Sequence, residues 1–244
     1  MPSKDITGSI SAPAASRSET EWRKSAEVNG ERYRANPKDA EAALRYGQAL
    51  RATGQYSQAA AVLEQATINN PDNKPLLAAY GRALVDVGNF QQAFDTLARA
   101  HTPDNPDWSI LSVQGAALDQ QGKHEEARRY YASALKIMPE EPSVLSNLGM
   151  SYILTKDLPR AEAALRHAYG HEKADPRVRQ NLALAIGLQG RFAEAETIVR
   201  ADLPAEEAAE NVAYLKQMLN RSESPKTSSG RVRRSADAPS SPRV

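Results

Sequence analysis

The chain has 244 residues, of which 31 are Lys or Arg and 30 are Asp or Glu, and this near neutrality does not suggest a strong nucleic-acid binder. It contains no cysteine, which excludes disulfide bonds, thiolate catalysis and cysteine-ligated metals. No apolar run approaches the roughly 20 residues that a bilayer-spanning helix needs.

The N-terminal segment, residues 1–18, is small, polar and proline-containing, and it is predicted to be disordered. Residues 19–39 are predicted to form an N-terminal capping helix that ends near Ala35. Glu19 and Glu21 favour the start of this helix, because acidic side chains stabilise helix N-termini. A cap of this kind would cover the open end of whatever follows.

A 34-residue unit then recurs five times, and its apolar pattern predicts helix, turn, helix. The predicted repeats are 40–73, 74–107, 108–141, 142–175 and 176–204. One position of the first helix holds a small residue in every copy, namely Gly47, Gly81, Gly115, Gly149 and Ala183. One position of the second helix likewise holds a small residue in every copy, namely Ala59, Ala93, Ala127, Ala161 and Ala195. The two series are predicted to face each other, so that Gly115 meets Ala127. The turn between the helices holds Gly54, Gly88, Gly122, Lys156 and Gly190.

This spacing, with these residue types, resembles the tetratricopeptide repeat. The resemblance covers roughly residues 40–207. It implies an all-α, right-handed superhelical solenoid of about five helix–turn–helix repeats, with residues 40–204 as the array. The position that usually holds tryptophan carries Ala43, Leu77, Leu111, Leu145 and Arg179.

Residues 205–220 are predicted to form a C-terminal capping helix, because Ala208, Val212, Leu215 and Leu219 fall on one stripe. Residues 221–244 carry six basic and two acidic residues and are predicted to be a disordered basic tail. Contact of this tail with an anionic lipid or nucleic-acid surface is an alternative to a solvated end.

No nucleotide-binding, nucleophile or metalloprotease motif is found, so no catalytic residue, no cofactor and no enzyme activity is predicted. His167 and His171 have a metal-ligand spacing, but Gly170 between them is predicted to end the helix, and no third ligand is evident. No metal site is therefore predicted. His124 falls at a packing position that holds aromatic residues in other repeats.

Function is therefore expected in surface recognition. The resemblance implies a concave groove lined by the first helices of the repeats. The predicted groove residues are Arg45, Gln48, Arg51 and Arg82 in the N-terminal half and Asn147, Met150, Ile153, Asn181 and Leu184 in the C-terminal half. A partner protein or peptide with acidic and apolar portions would complement both halves. The alternative, in which the apolar members only pack between repeats, stays open.

One groove chemistry of this family is disfavoured. Chaperone-binding members hold a C-terminal carboxylate with Lys, Asn, Asn, Lys and Arg. In the first three repeats these positions hold Leu44, Gln48, Ala79, Ser109 and Val113, and the two later frames match no better.

A narrower resemblance is sharpest at the C-terminal end of the array. It rests on the stretches 178–196, 201–204 and 211–215, the last two reading Ala-Asp-Leu-Pro and Asn-Val-Ala-Tyr-Leu. These look like the TadD proteins, tetratricopeptide components of the tight-adherence (Flp) pilus assembly apparatus. The resemblance implies an outer-membrane lipoprotein that faces the periplasm and assists assembly of the secretin pore.

The chain departs from those relatives because it has no lipobox cysteine and no apolar leader, although residues 5–10 look like the polar stretch after such a leader. Either a leader was removed, which favours a periplasmic, outer-membrane-associated location, or the chain is a soluble cytoplasmic paralogue. Two functions are therefore expected as alternatives. One is a scaffold for pilus assembly, with the secretin or another assembly component as partner. The other is a generic soluble co-chaperone or regulatory adaptor in the cytoplasm. No small-molecule substrate and no nucleic acid is expected as a partner. Membrane contact is expected only through a leader or lipid anchor.

Overall fold

A computed structural model describes residues 18–171 and 174–223, with the backbone alone at 222 and 223. Within these residues the chain forms twelve α-helices and no β-strand, which confirms the all-α prediction. The helices are α1 Glu19–Ala35, α2 Ala40–Ala52, α3 Tyr56–Asn69, α4 Lys74–Asp86, α5 Phe90–Ala98, α6 Trp108–Gln120, α7 His124–Ile137, α8 Pro142–Leu154, α9 Leu158–Tyr169, α10 Pro176–Leu188, α11 Phe192–Val199 and α12 Ala205–Glu223. The predicted disordered segments lie almost entirely outside the described residues, although α12 continues three residues past its predicted end at 220.

Helices α1 and α12 cap the two ends of the array. Ser18 and Glu21 form a capping box at the start of α1, where each side chain accepts the other residue's backbone N–H. On the same helix Gly30 allows the Tyr46 ring of α2 to approach closely, because a Cβ at Gly30 would lie 3.0 Å from its Cε2. At the other end, Leu215 of α12 packs over Gly187 of α10.

Five 13-residue helices begin the repeats, namely α2, α4, α6, α8 and α10. Each starts at a side chain that accepts a backbone N–H of its first turn, in chain order Asp39, Asn73, Asp107, Glu141 and Asp175. Such caps satisfy donors that have no partner inside the helix. In the structure, a capped helix therefore begins every 34 residues.

The turn between the two helices of a repeat uses a left-handed residue. Gly54, Gly88, Gly122 and Gly190 have φ between 76° and 85°, and Lys156 has φ 60°. In the first repeat this lets the backbone N–H groups of Gly54 and Gln55 donate to the Arg51 and Leu50 carbonyls, at 3.1 and 2.8 Å. Glycine adopts this conformation at no steric cost, whereas lysine does not.

The side chain nearest to Gly115 is Tyr131, and not the predicted Ala127. A Cβ at Gly115 would lie 2.6 Å from Cε1 of Tyr131, four residues after Ala127. The same displacement recurs where Gly47 meets Leu63 and Gly149 meets Leu165. A helical side chain covers the turn N-terminal to its own Cα, so the later and larger residue reaches over the glycine.

The array bends towards the first helices of its repeats. Each of α2, α4, α6 and α8 contacts the next first helix, whereas no two successive second helices have Cα atoms within 8 Å of each other in the described part of the chain. Contact on one side and separation on the other produce a curved stack, consistent with a helical repeat superhelix. We call α2, α4, α6, α8 and α10 the inner helices and α3, α5, α7, α9 and α11 the outer helices.

Candidate protein-binding groove

Polar side chains join successive inner helices at a fixed separation of 35 residues. Asn147 Nδ2 donates to Ser112 Oγ at 3.1 Å, and Asn181 Nδ2 donates to Ser146 Oγ at 2.9 Å. The two pairs occupy the same positions one repeat apart. Asn147 and Asn181, both predicted to contact a partner, therefore already make bonds that hold the inner helices together.

Two of the three predicted groove arginines pair with carboxylates of this chain. Arg51 Nε lies 2.5 Å from Asp86 Oδ2, and these side chains are only 11% and 6% exposed. Arg45 Nη2 lies 2.6 Å from Glu41 Oε1 one turn earlier on α2, and both side chains are more than half exposed. Arg51 therefore bridges two repeats, whereas Arg45 and the exposed Gln48 lie at the surface of α2.

The third arginine, Arg82 of α4, has a different environment. Its Nη2 donates to Ser109 Oγ at 2.8 Å, and Ser109 donates onward to Asp107 Oδ1 at 2.6 Å. Burial, and then the nearby positive charge of Arg51, lower the pKa of Arg82, while the charge of Asp107 opposes this. Arg82 is thus a half-buried cation whose carboxylate neighbour is reached only through a hydroxyl.

The C-terminal half of the inner surface is apolar. Helix α8 contains no charged residue. Met150 and Leu184 are half-buried and belong to none of the core clusters, whereas Ile153 packs against the core of the fifth repeat. Leu154, one turn after Met150, is 50% exposed. The packing interpretation therefore fits Ile153, whereas Met150 and Leu184 stay predicted groove residues.

We call Met150, Leu154, Leu184 and Leu188 the apolar inner patch. Met150 and Leu184 hold the same position in successive inner helices, as do Leu154 and Leu188, and α8 contacts α10. None of the four belongs to a buried core cluster of the described chain. The patch is therefore an apolar part of the inner helices that lies outside the buried clusters.

A buried carboxylate between the third and fourth repeats was missed at the sequence level. Asp119 of α6 is only 7% exposed. Its Oδ1 accepts from Ser151 Oγ at 2.9 Å and lies 2.9 Å from His124 Nδ1, and its Oδ2 accepts from Tyr131 Oη at 2.9 Å. Asp119 thus ties three helices together. The one available signal was an acidic residue at a position that holds Val85 and Ile153 in neighbouring repeats.

Burial and the neighbouring Asp119 carboxylate raise the pKa of Tyr131 well above its usual range, so this hydroxyl stays protonated and donates. Next to the cluster, an open cleft of about 280 Å³ is lined by the start of α7, Arg128 and Thr155. Arg128 pairs with Glu125 on its own helix and donates to the Ser151 carbonyl of α8, so its charge already has a partner and one of its donors joins the two repeats.

His167 lies 3.5 Å from Glu140 Oε1. Within residues 18–171 and 174–223, no group of three or more His, Cys, Asp or Glu residues is arranged to hold a metal ion. No helix among these residues has the length and apolarity needed to cross a bilayer.

Models of the tetratricopeptide repeat match residues 79–142, 120–183 and 176–201. A model of anaphase-promoting complex, cyclosome, subunit 3 matches residues 23–100. This chain is a tetratricopeptide repeat protein. The tetratricopeptide fold is a scaffold for protein–protein interaction, and such arrays use their extended concave surfaces for binding.

Solved tetratricopeptide structures share this fold. The protein matches a repeat protein from Parabacteroides merdae ATCC 43184 with a TM-score of 0.68 and 13% identity, over 83% of this chain and 78% of that chain. It matches PilW, described as a widely conserved type IV pilus biogenesis factor, with a TM-score of 0.67 and 19% identity, over 80% and 91% of the two chains.

The protein also matches the APC/C hetero-tetramer Cut9–Hcn1 with a TM-score of 0.67 and 16% identity, over 82% of this chain. It spans only 40% of the length of that chain. No curated protein sequence gives a significant match.

Proposed function

We propose that this tetratricopeptide repeat protein is a non-enzymatic scaffold that holds a segment of a partner protein on its inner helices and assists assembly of a tight-adherence (Flp) pilus machine. The secretin or another assembly component is the proposed partner. On this proposal the array works on the periplasmic side of the outer membrane, as the resemblance to the TadD proteins implies.

The apolar inner patch carries the proposal. Met150 and Leu184 are large apolar side chains that are half-buried without belonging to a core cluster, and Leu154 is 50% exposed. Apolar side chains that stay accessible on a concave surface are typical of sites for partner segments. The resemblance at 178–196, 201–204 and 211–215 supports the pilus assignment, and PilW provides a pilus biogenesis factor with the same fold.

A complementation experiment tests this function in the organism that encodes the chain. Deletion of the gene should abolish Flp pili seen by electron microscopy, and the wild-type gene should restore them. Met150→Asp combined with Leu184→Asp should fail to restore pili while keeping a normal melting temperature. Ile68→Asp is the matched control, because Ile68 is 67% exposed on the outer helix α3, and it should restore them.

Normal pili after deletion would contradict the pilus assignment. Full rescue by the Met150→Asp, Leu184→Asp variant would contradict the use of the inner surface.

A further inference from the structure

The inner helices place one residue of each repeat on a line across the groove. Residue nine of the five 13-residue inner helices forms what we call the central row, which consists of Gln48, Arg82, Ala116, Met150 and Leu184. Read along the chain, the row is polar, cationic, small, apolar and apolar. Its chemistry therefore has a direction, and a bound segment would meet a polar and cationic half first and an apolar half after it.

Arg82 is the one charged member of this row, and it forms no direct ion pair with another described residue. Arg45 and Arg51 each pair with a carboxylate, Glu41 and Asp86 respectively. Across residues 18–171 and 174–223, no carboxylate oxygen lies within 4.0 Å of the Arg82 guanidinium, which makes one hydrogen bond, to Ser109. Asp86, one turn further along α4, is occupied by Arg51.

The Arg82 guanidinium makes fewer hydrogen bonds than it has donors. It carries five N–H donors in a fork that matches a carboxylate, and here one hydroxyl takes a single donor. Removing a cation from water without pairing it costs free energy that a charged partner can recover. The lowered pKa of Arg82, caused by burial and then by Arg51, reports the same unfavourable environment.

We infer that Arg82 binds a carboxylate side chain of the partner segment, while the apolar inner patch binds an apolar residue of the same segment. This rests on the proposed use of the inner surface. An internal Asp or Glu is favoured over a chain terminus, because Ala78 and Val113 offer no side-chain donor at the clamp positions around Arg82, and Asn147 already donates to Ser112. Ala78 and Ala116, which flank Arg82 on the inner face, are too short to cover it.

The spacing of the two contacts follows from helix packing. Packed helices lie about 8–10 Å apart, so Arg82 on α4 and Met150 on α8 are separated by roughly 16–20 Å across two steps. An extended chain rises about 3.3 Å per residue. The acidic and the apolar residue of the partner are therefore expected to be about five or six residues apart.

Selection from a display library tests this inference. The probe is a library of random 12-residue segments with Gly-Ser linkers on both sides, so that no selected segment presents a terminal carboxylate. Selection on the wild-type protein should enrich Asp or Glu about five or six residues from a large apolar residue. Selection on Arg82→Gln should lose the acidic residue, whereas Arg45→Gln, the matched exposed arginine, should keep it.

A double-mutant cycle then measures the contact. In one selected segment, replacing the acidic residue by its amide should weaken binding about tenfold to the wild-type protein and less than twofold to Arg82→Gln. Ser109→Ala removes the internal hydrogen bond but not the charge, so it should preserve the tenfold effect. Each variant is used only if its melting curve shows a folded array.

The outcomes separate this inference from the proposed function. Selected segments that need Met150 but show no acidic preference would overturn the role of Arg82 and leave the inner surface as the binding site. An equal preference for an acidic residue in the selections on wild type and on Arg82→Gln would also overturn the role of Arg82. Failure to select any segment, or binding that Met150→Asp does not weaken, would overturn both.

Discussion

The Tyr131 ring of α7 lies directly on Gly115 of α6, so that a Cβ added at the glycine would come within 2.6 Å of Cε1. Tyr131 is 1% exposed, and its hydroxyl donates to the buried Asp119 carboxylate. The glycine therefore sets the distance between two helices and also the position of a buried hydrogen bond. Backbone and ring leave no space into which either could move without disturbing Asp119.

Gly115→Leu should consequently destabilise the array strongly. Overpacking at a close helix contact costs about 1–3 kcal/mol, and displacement of Tyr131 adds the loss of its bond to Asp119. Thermal unfolding followed by circular dichroism should show a clear fall in melting temperature. Ala132→Leu, at an exposed position of α7, is the control and should change it little. A normal melting temperature for Gly115→Leu would mean that this contact is not close in solution.

A substitution at Lys156 should stabilise the protein instead. It holds φ 60°, a conformation that costs a non-glycine residue roughly 1–2 kcal/mol, whereas glycine pays about 0.5–1 kcal/mol more in chain entropy. Lys156→Gly should therefore stabilise the protein by about 0.5–1 kcal/mol in urea unfolding. Gly122→Lys, at the same turn position one repeat earlier, should destabilise it by a similar amount. Two changes of the same sign would refute this account of the turn.

Gln114 should be replaceable with a gain in stability. It is 2% exposed, its Oε1 has no hydrogen-bond partner in the described structure, and its Nε2 reaches only the Phe94 carbonyl at 3.5 Å. Leu148 and Leu182 occupy this position in the next two repeats. An unmet buried polar group costs about 1–3 kcal/mol, so Gln114→Leu should raise the free energy of unfolding by about 1 kcal/mol. A lower value would show that the amide is satisfied in solution, for example by water.

Acid should weaken an ion cluster between the fourth and fifth repeats. Glu162 of α9 lies 2.7 Å from both Arg166 and Arg191 and accepts from Gln189 at 2.8 Å. Burial alone would raise the pKa of Glu162, but the hydrogen bonds from Arg191, Gln189 and Arg166 outweigh it and lower the pKa from 4.5 to about 2. Because the pKa is lower when folded, this stabilisation is complete above pH 4.5 and disappears as the pH falls to about 2.

The difference in melting temperature between wild type and Glu162→Gln should therefore be largest near neutral pH and shrink between pH 4.5 and 2. Glu27→Gln, on the exposed side of α1, should show no such dependence. A difference that is constant through the acid range would contradict the role assigned to this cluster.

The sequence was sufficient to predict the elements and their phase. The turn position was recognisable at Lys156 although it lacks glycine, because every neighbouring position kept the 34-residue step. Caps such as Asp157, whose side chain accepts from the Arg160 backbone, follow the same local rules and were predictable. Local signals of this kind depend on residues a few positions apart.

Contacts between repeats were not predictable in the same way. Periodicity shows which face a residue occupies but not which side chain meets it, so Arg51 was assigned to the surface although it pairs with Asp86, 35 residues away. Asp119 was missed for the same reason, since its donors come from two other helices. The free charge of Arg82 could be recognised only after its neighbours had been paired.

The central claim is that a partner protein lies on the inner surface of the array, and site-specific photocrosslinking in living cells tests it most directly. A photoreactive phenylalanine analogue is placed singly at Met150, at Leu184 and at Ile68. We expect a crosslinked partner band from the two inner positions and none from Ile68 on the outer helix α3. A band from Ile68 with none from Met150 or Leu184 would contradict the claim and place recognition on the outer helices.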